Sequence, residues 1–382
     1  MLKNEPIQDN PWLRRFAALT AVVTFLLLGL GGLVTSHNAG MSVPDWPNSY
    51  GYNMFFFPIK DWVGGIFYEH THRLLASGVG LLTTILAVWL WVKEPRRWMR
   101  WLGVTALLGV VAQGVLGGLR VVLLNAHLGI IHAIVGQLFF VLMAAIALFT
   151  SRFWQNLQTV QAVGSPSALD TGGTVHPAGT NLRRLVLFTT LLIFGQLIIG
   201  ATMRQAHAGL AIPDFPLAYG KLWPDTSAAA VAGYNEHRIS AIAENPITAF
   251  QIILQMAHRI TAVLILLAVA GCAWMAHRPH PRKSGSGPEL ECRLYRRLSL
   301  FWLALILAQI ALGAWTTWSN KAADVATLHV LGGALSLATG AMWCLIAFRR
   351  TAMAAVRDLG PEEPRAADAA PIGAHPALAA NK

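Results

Sequence analysis

Apolar residues in this chain fall into long unbroken runs, not into the alternation of a half-buried strand or the narrow stripe of a surface helix. About twenty such residues cross a hydrocarbon core as a helix. Eight runs reach that length, at residues 15–36, 65–92, 101–123, 127–150, 184–204, 248–276, 298–318 and 325–348. Each is expected to be helical, because in lipid every backbone N–H and C=O needs a partner inside the protein. The first run, Phe16 to Val34, is too long for the apolar stretch of a signal peptide, and no small-residue cleavage site follows it. It reads as the first span.

Composition agrees with the pattern. Of 382 residues 55% are hydrophobic and 12% charged, with a mean hydropathy of +0.50. Soluble domains carry about a quarter charged residues. The formal charge of +11 in a soluble chain would suggest nucleic acid, but here the basic residues crowd into alternate inter-run segments. Lys3, Arg14 and Arg15 form one group; Lys93, Arg96, Arg97 and Arg100 another; Arg152, Arg183 and Arg184 a third. Arg278, Arg282, Lys283, Arg293, Arg296 and Arg297 follow, then five from Arg349 onward, in all 21 of 29. The positive-inside rule puts both termini in the cytoplasm and the loops 37–64 and 205–247 outside, with Trp46, Trp62 and Trp223 suited to the interface. Residues 155–182 read as a linker, and the Ala- and Pro-rich tail within 351–382 as disordered. Cys272, Cys292 and Cys344 are spaced for neither a disulfide framework nor a thiolate metal site.

The two halves repeat. Ala39-Gly40-Met41-Ser42-Val43-Pro44-Asp45-Trp46-Pro47 aligns with Ala208-Gly209-Leu210-Ala211-Ile212-Pro213-Asp214-Phe215-Pro216, and each is followed by Tyr-Gly, at Tyr50-Gly51 and Tyr219-Gly220. His72-Arg73 aligns with His258-Arg259, Gln113 and Gly117 with Gln309 and Gly313, and His132 with His329. The offsets grow from 169 to 186 to 196 and 197, in steps that fall in loops. Four spans per copy is an even number, so both copies keep one orientation about an axis along the membrane normal. The fold expected is all-α integral membrane, eight transmembrane helices as two pseudo-symmetric four-helix bundles, residues 1–154 and 183–350.

An ionisable side chain at membrane depth is costly and marks function. His72, His132, His258 and His329 occupy repeat-related places on the second, fourth, sixth and eighth spans. Zinc usually takes three or four ligands, and a di-iron bundle several Glu; carboxylates are nearly absent from the spans. Haem needs one or two axial ligands and a large apolar pocket. Small residues near the ligands, Ala76, Gly78, Gly136, Gly332, Gly333 and Ala334, leave room for a flat macrocycle, and Arg73 and Arg259 are placed to pair with propionates. A single such histidine more often bonds a neighbouring helix; four in register favour iron. The remaining histidines read as solvated, with His37 and His207 as candidate pocket walls and His127 as a weak competitor of His132.

The copies differ beside the ligands. Glu69 stands where the second copy has Gln255. A carboxylate three residues before a ligand shares its helix face, and in an apolar site it is a candidate proton donor or acceptor. The bland alternative is a glutamate capping a wet helix end. Catalysis is therefore expected in the first copy and a resident cofactor in the second.

Taken together, Glu69-x-x-His72-Arg73, His132, the paired outer-loop motifs, His258-Arg259 and His329 resemble the haem A synthase family over about residues 15–350. The resemblance implies oxidation of a ring methyl of haem O to a formyl group, giving haem A for aa3-type cytochrome oxidase. It implies substrate haem at His72 and His132, a haem b cofactor (iron protoporphyrin) between His258 and His329, and Glu69 as the required glutamate. It further implies a bacterial inner-membrane protein working beside haem O synthase (a farnesyltransferase) and oxidase assembly factors, fed by an unidentified electron donor, with no nucleic acid and with homo-oligomers open. One branch of that family has a cysteine pair in the first outer loop, and 37–64 has no cysteine. The reading competing with an enzyme is a di-haem b-type electron carrier, and a haem transporter or chaperone stands third.

Overall fold

The computed structural model describes residues 10–156, 177–238, 246–278 and 289–358. Eight long helices are apolar enough to cross a membrane. They are α1 (Pro11–Ser36), α2 (Gly64–Lys93), α3 (Arg97–Val122), α4 (Ala126–Thr150), α5 (Pro177–Gln205), α7 (Ala249–His277), α8 (Glu289–Trp318) and α9 (Ala323–Asp358). Between α5 and α7 lies a short extramembrane helix, α6 (Ala228–Glu236), inside a segment that the sequence suggested only as loop.

Local chemistry fixes several helix ends. Pro11 opens α1, where its missing N–H costs nothing, and the Asn10 side chain accepts from Leu13 N at 3.1 Å. Asn125 caps α4 through His127 N at 2.9 Å, and Thr248 with Gln251 forms a capping box on α7. Within the spans, threonine hydroxyls donate back to the carbonyl four residues earlier, as Thr20 does to Phe16 and Thr24 to Thr20. That satisfies a polar group that lipid would not.

Several helices outrun the apolar runs. α5 begins at Pro177, inside the expected linker, and α9 runs to Asp358, inside the expected tail. The rest of both segments, 157–176 and 359–382, lies outside the described residues, as do His176, His280 and His375. Hydropathy marks where lipid begins, whereas backbone hydrogen bonding continues past it.

Packing closes α1, α2, α3 and α4 into one ring and α5, α7, α8 and α9 into another, each helix touching the next and the first touching the last. The rings join through α1, α4, α5 and α9. Their apolar cores sit at the end where α1 starts. Leu13, Ala17, Leu86, Leu90, Met99, Met143 and Ile146 fill the first, and Val186, Val269, Trp302 and Trp343 the second. The opposite end, which carries the 37–63 and 206–248 loops, is hollow.

Candidate functional site

The two loops at the hollow end share one construction. Asp45 accepts from Tyr50 N at 2.7 Å and Gly51 N at 2.8 Å, while Tyr50 Oη donates to the Ser42 carbonyl. Asp214 likewise accepts from Tyr219 N at 2.8 Å and Gly220 N at 2.9 Å, and Tyr219 Oη donates to the Ala211 carbonyl. Gly51 and Gly220 sit at φ +80° and +73°, the left-handed region where glycine carries no side-chain penalty. The Trp46–Pro47 and Phe215–Pro216 bonds are both cis. Burial works to raise the Asp45 carboxyl, but the N–H groups of Gly51 and Tyr50 and the charge of Arg73 outweigh it and hold it below the usual carboxylate range. Burial pushes the Tyr219 hydroxyl up to about 12.

Arg73 fastens its loop from below. Its Nη1 donates to the Asp45 and Asn48 carbonyls at 2.7 and 3.0 Å, and its Nη2 to the Val43 carbonyl at 2.7 Å and Glu69 Oε1 at 2.8 Å. Arg259 repeats this with the Leu217 and Asp214 carbonyls at 2.8 and 2.7 Å. Both terminal nitrogens of each arginine of this pair, for which a propionate role was expected, donate to loop carbonyls, and both side chains line the cavity described next.

Glu69 and Gln255 also share a task. Val43 N donates to Glu69 Oε2 at 3.0 Å, and Ile212 N to Gln255 Oε1 at 2.6 Å. Glu69 is 4% exposed and ion-paired with Arg73, so it is neither a wet helix cap nor an isolated carboxyl in apolar surroundings. It still lines the cavity described next, where it is the only acidic side chain among the described residues.

That cavity occupies the hollow end of both rings and measures about 1780 Å³. Pockets around drug-sized ligands are roughly 300–1,000 Å³. His72, His132, His258 and His329 all line it. The His258 and His329 rings stand with centroids 6.3 Å apart and planes at 63°. A metal–imidazole bond of about 2 Å puts two axial rings roughly 6 Å apart, centre to centre, across one haem iron. His72 and His132 lie within electrostatic reach of each other. The Nδ1 atoms of His132, His258 and His329 are buried without a hydrogen-bond partner. Four imidazoles lining one largely apolar cavity are a donor set that fits an iron macrocycle. Among the described residues no three of His, Cys, Asp or Glu gather, so the donors come as imidazole pairs.

A glycine of a neighbouring helix backs each ring, which sequence reading missed. A Cβ on Gly31 would lie 3.4 Å from His72 Nε2, and one on Gly117 3.2 Å from His132 Cε1. In the second copy a Cβ on Gly200 would lie 3.4 Å from His258 Cε1, and one on Gly313 3.3 Å from His329 Cε1. Gly31 and Gly200 are themselves 169 residues apart, so the repeat alignment carried this signal. Of the small residues expected to make room, Ala76, Gly136 and Gly333 line the cavity. Gly332 instead abuts Gln309, Ala334 is core, and a Cβ on Gly78 meets nothing.

The other histidines separate. His127 is exposed and does not line the cavity, whereas His207 does. His37 stacks on Tyr68 at 4.0 Å. His70 is a correction: it is not solvated but fully buried, with Nδ1 3.2 Å from Ser49 Oγ and its ring against Phe57 and Trp62, because the first loop folds over it. Sequence reading also missed Arg120, Arg204 and Lys321, which line the cavity. Burial, then the charge of Arg204, lowers the Lys321 ammonium from its ordinary value.

Residues 52–340 match the family model described as cytochrome oxidase assembly protein. Similar curated proteins carry the name heme A synthase. The one from Halalkalibacterium halodurans is 26% identical over 84% of this chain and 91% of its own length. That from Shewanella oneidensis is 25% identical over 86% and 93%, and that from Shouchella clausii 28% identical over 60% and 71%.

Proposed function

Because this chain belongs to the cytochrome oxidase assembly protein family, we propose that it is a membrane oxidoreductase that makes haem A, oxidising a methyl group of haem O to a formyl group. Haem O is the substrate at His72 and His132, and haem b the resident cofactor at His258 and His329. The first ring of helices is then the catalytic bundle, the second the cofactor bundle, and the two are pseudo-symmetric. Both termini lie in the cytoplasm of a bacterial cell, with the hollow end facing outward across the plasma membrane. Haem O synthase and oxidase assembly factors are its working neighbours.

One observation carries the assignment: four imidazoles line a single cavity, and only the first copy puts an acid there, Glu69. Iron supplies the redox chemistry when bound. The chain supplies position and protons. Glycine-backed rings line the cavity, and its largely apolar walls would keep water from the reacting methyl group. Glu69 offers a carboxylate oxygen at the cavity wall, and Arg73 fixes its direction through a 2.8 Å contact.

Gln255 makes the test of this assignment clean. An amide in that place already holds the equivalent loop, through Ile212 N. Glu69→Gln therefore keeps an acceptor for Val43 N while removing the carboxylate that can gain or lose a proton, and with it the charge that pairs with Arg73. Pigment extracted from membranes of the variant, supplied with haem O, is expected to hold little haem A. Normal haem A levels in the variant would remove Glu69 from the chemistry, whereas a wild type that itself made no haem A would favour the di-haem carrier.

A further inference from the structure

Eight basic residues lie outside the groups near the termini end: Lys60, Arg73, Arg120, Arg204, Lys221, Arg238, Arg259 and Lys321. All but Lys60 and Lys221 line the cavity, against a single acid, Glu69. Arg73 and Arg259 are committed to loop carbonyls. Arg120, Arg204 and Lys321 form no ion pair among the described residues. A cation at this depth without a counter-charge is expensive, and an anion bound beside it lowers the cost.

Arg120 sits in a cradle cut for it. Its Nε is buried with no hydrogen-bond partner. A Cβ on Gly40 would come 2.5 Å from its Nη2, and a Cβ on Gly129 2.9 Å from its Nε. The second copy lacks both halves of this device. Thr316 replaces Arg120, Ala326 replaces Gly129, and the space beside Gly209, the partner of Gly40, is open. The glycine at 129 thus goes with the arginine it accommodates. Arg120 lies within electrostatic reach of Glu69, His72 and His132.

The second copy has its own cations on a different helix. Arg204, where the first copy has Thr35, donates from Nη2 to the Gly32 carbonyl at 2.8 Å and Ser36 Oγ at 2.5 Å, tying α5 to α1. It lies within electrostatic reach of His329 and of Lys321, in the turn between α8 and α9.

We propose that Arg120 anchors the propionate carboxylates of the haem held by His72 and His132, and that Arg204 with Lys321 anchors those of the haem held by His258 and His329. This rests on the haem reading above. It replaces the repeat-matched pair Arg73 and Arg259 with unmatched residues, so the two macrocycles are fastened from different helices. A guanidinium–carboxylate contact is charge-assisted, planar and bidentate.

The test uses the full-length purified chain, loaded with iron protoporphyrin as the free acid or as its dimethyl ester. Each site is read alone, the other being silenced by His258→Ala or His72→Ala. Arg120→Gln is expected to weaken free-acid binding at the first site by about tenfold or more, to leave ester binding unchanged, and to be largely rescued by Arg120→Lys. Arg204→Gln is expected to do the same at the second site only. Optical titration and the rate of haem loss to an apomyoglobin acceptor give the readout without turnover. If Arg120→Gln keeps the wild-type preference for acid over ester, or weakens both forms equally, the anchor assignment is wrong while the haem reading stands. If the wild-type chain takes up no haem at either pair, both fall. If Arg120→Gln loses co-purifying phosphatidylglycerol with free-acid haem binding intact, the cation serves lipid and the proposal is overturned.

Discussion

Replacing Gly313 by alanine tests how closely the second pair of imidazoles is set. The added Cβ would lie 3.3 Å from His329 Cε1, inside the comfortable carbon–carbon separation of about 3.5–4.0 Å. Without pigment the ring yields into the cavity by a few tenths of an ångström, and little is lost. With iron between His329 and His258 it has nowhere to yield, because 6.3 Å between centroids already matches a two-ligand iron. The cost therefore falls on binding. Overpacking of this kind costs about 1–3 kcal/mol, and alanine returns up to about 1 kcal/mol of helix propensity in loaded and unloaded chain alike. The net loss in the affinity of the second site is then roughly 5- to 150-fold. The assay is haem content and dissociation rate of the purified protein, with Gly78→Ala as control, since a Cβ there meets nothing within 4 Å. A Gly313→Ala protein that keeps its haem as firmly as the control, with an unchanged low-spin spectrum, refutes the reasoning.

Three further outcomes follow from the geometry. Arg73→Gln breaks a buried ion pair and three loop hydrogen bonds, a loss of about 3–5 kcal/mol locally. Protease should nick 37–63 in that variant sooner than it nicks 206–238 in Arg259→Gln, where two such bonds are lost; equal rates would count against the clamp. The carboxyl of Asp45 is lowered in the folded loop, so its stabilisation is complete above the unfolded value near pH 4. It fades as pH falls through the folded value, and loop protection from hydrogen exchange should follow that course and be flat above pH 5. His258→Ala and His329→Ala should each abolish a bis-histidine low-spin spectrum, and its survival in either would move the resident haem to the first copy.

Lipid-crossing runs and repeat-related histidines were legible because each depends on one helix at a time: length, hydropathy and register are local. What packs against what was not. The Arg73 guanidinium was read only as a propionate partner because, Glu69 apart, the groups it holds are carbonyls of a loop 25 to 30 residues earlier, and backbone acceptors leave no mark in a sequence. His70 looked solvated for the same reason, since Ser49, Phe57 and Trp62 come to it only once the loop has folded. Arg120 and Arg204 were passed over because they break the repeat, and symmetry was the filter that picked out the histidines. The glycines behind the rings did obey the repeat. Gly31 and Gly200 were overlooked because glycine in a membrane helix is common enough to seem unremarked background.

Solid packing at one end and emptiness at the other separates assembly from loading. The chain can be threaded into lipid and its helices locked by Leu86, Met143, Val269 and Trp302 before any pigment arrives. The far end is then a socket moulded in advance, packed at its root and tied at its rim by Arg73 and Arg259 to the loops. Cells starved of porphyrin should accordingly accumulate a protein that is inserted and helical, and less stable than the loaded form. Feeding them pigment should raise that stability without new synthesis, by simple mass action.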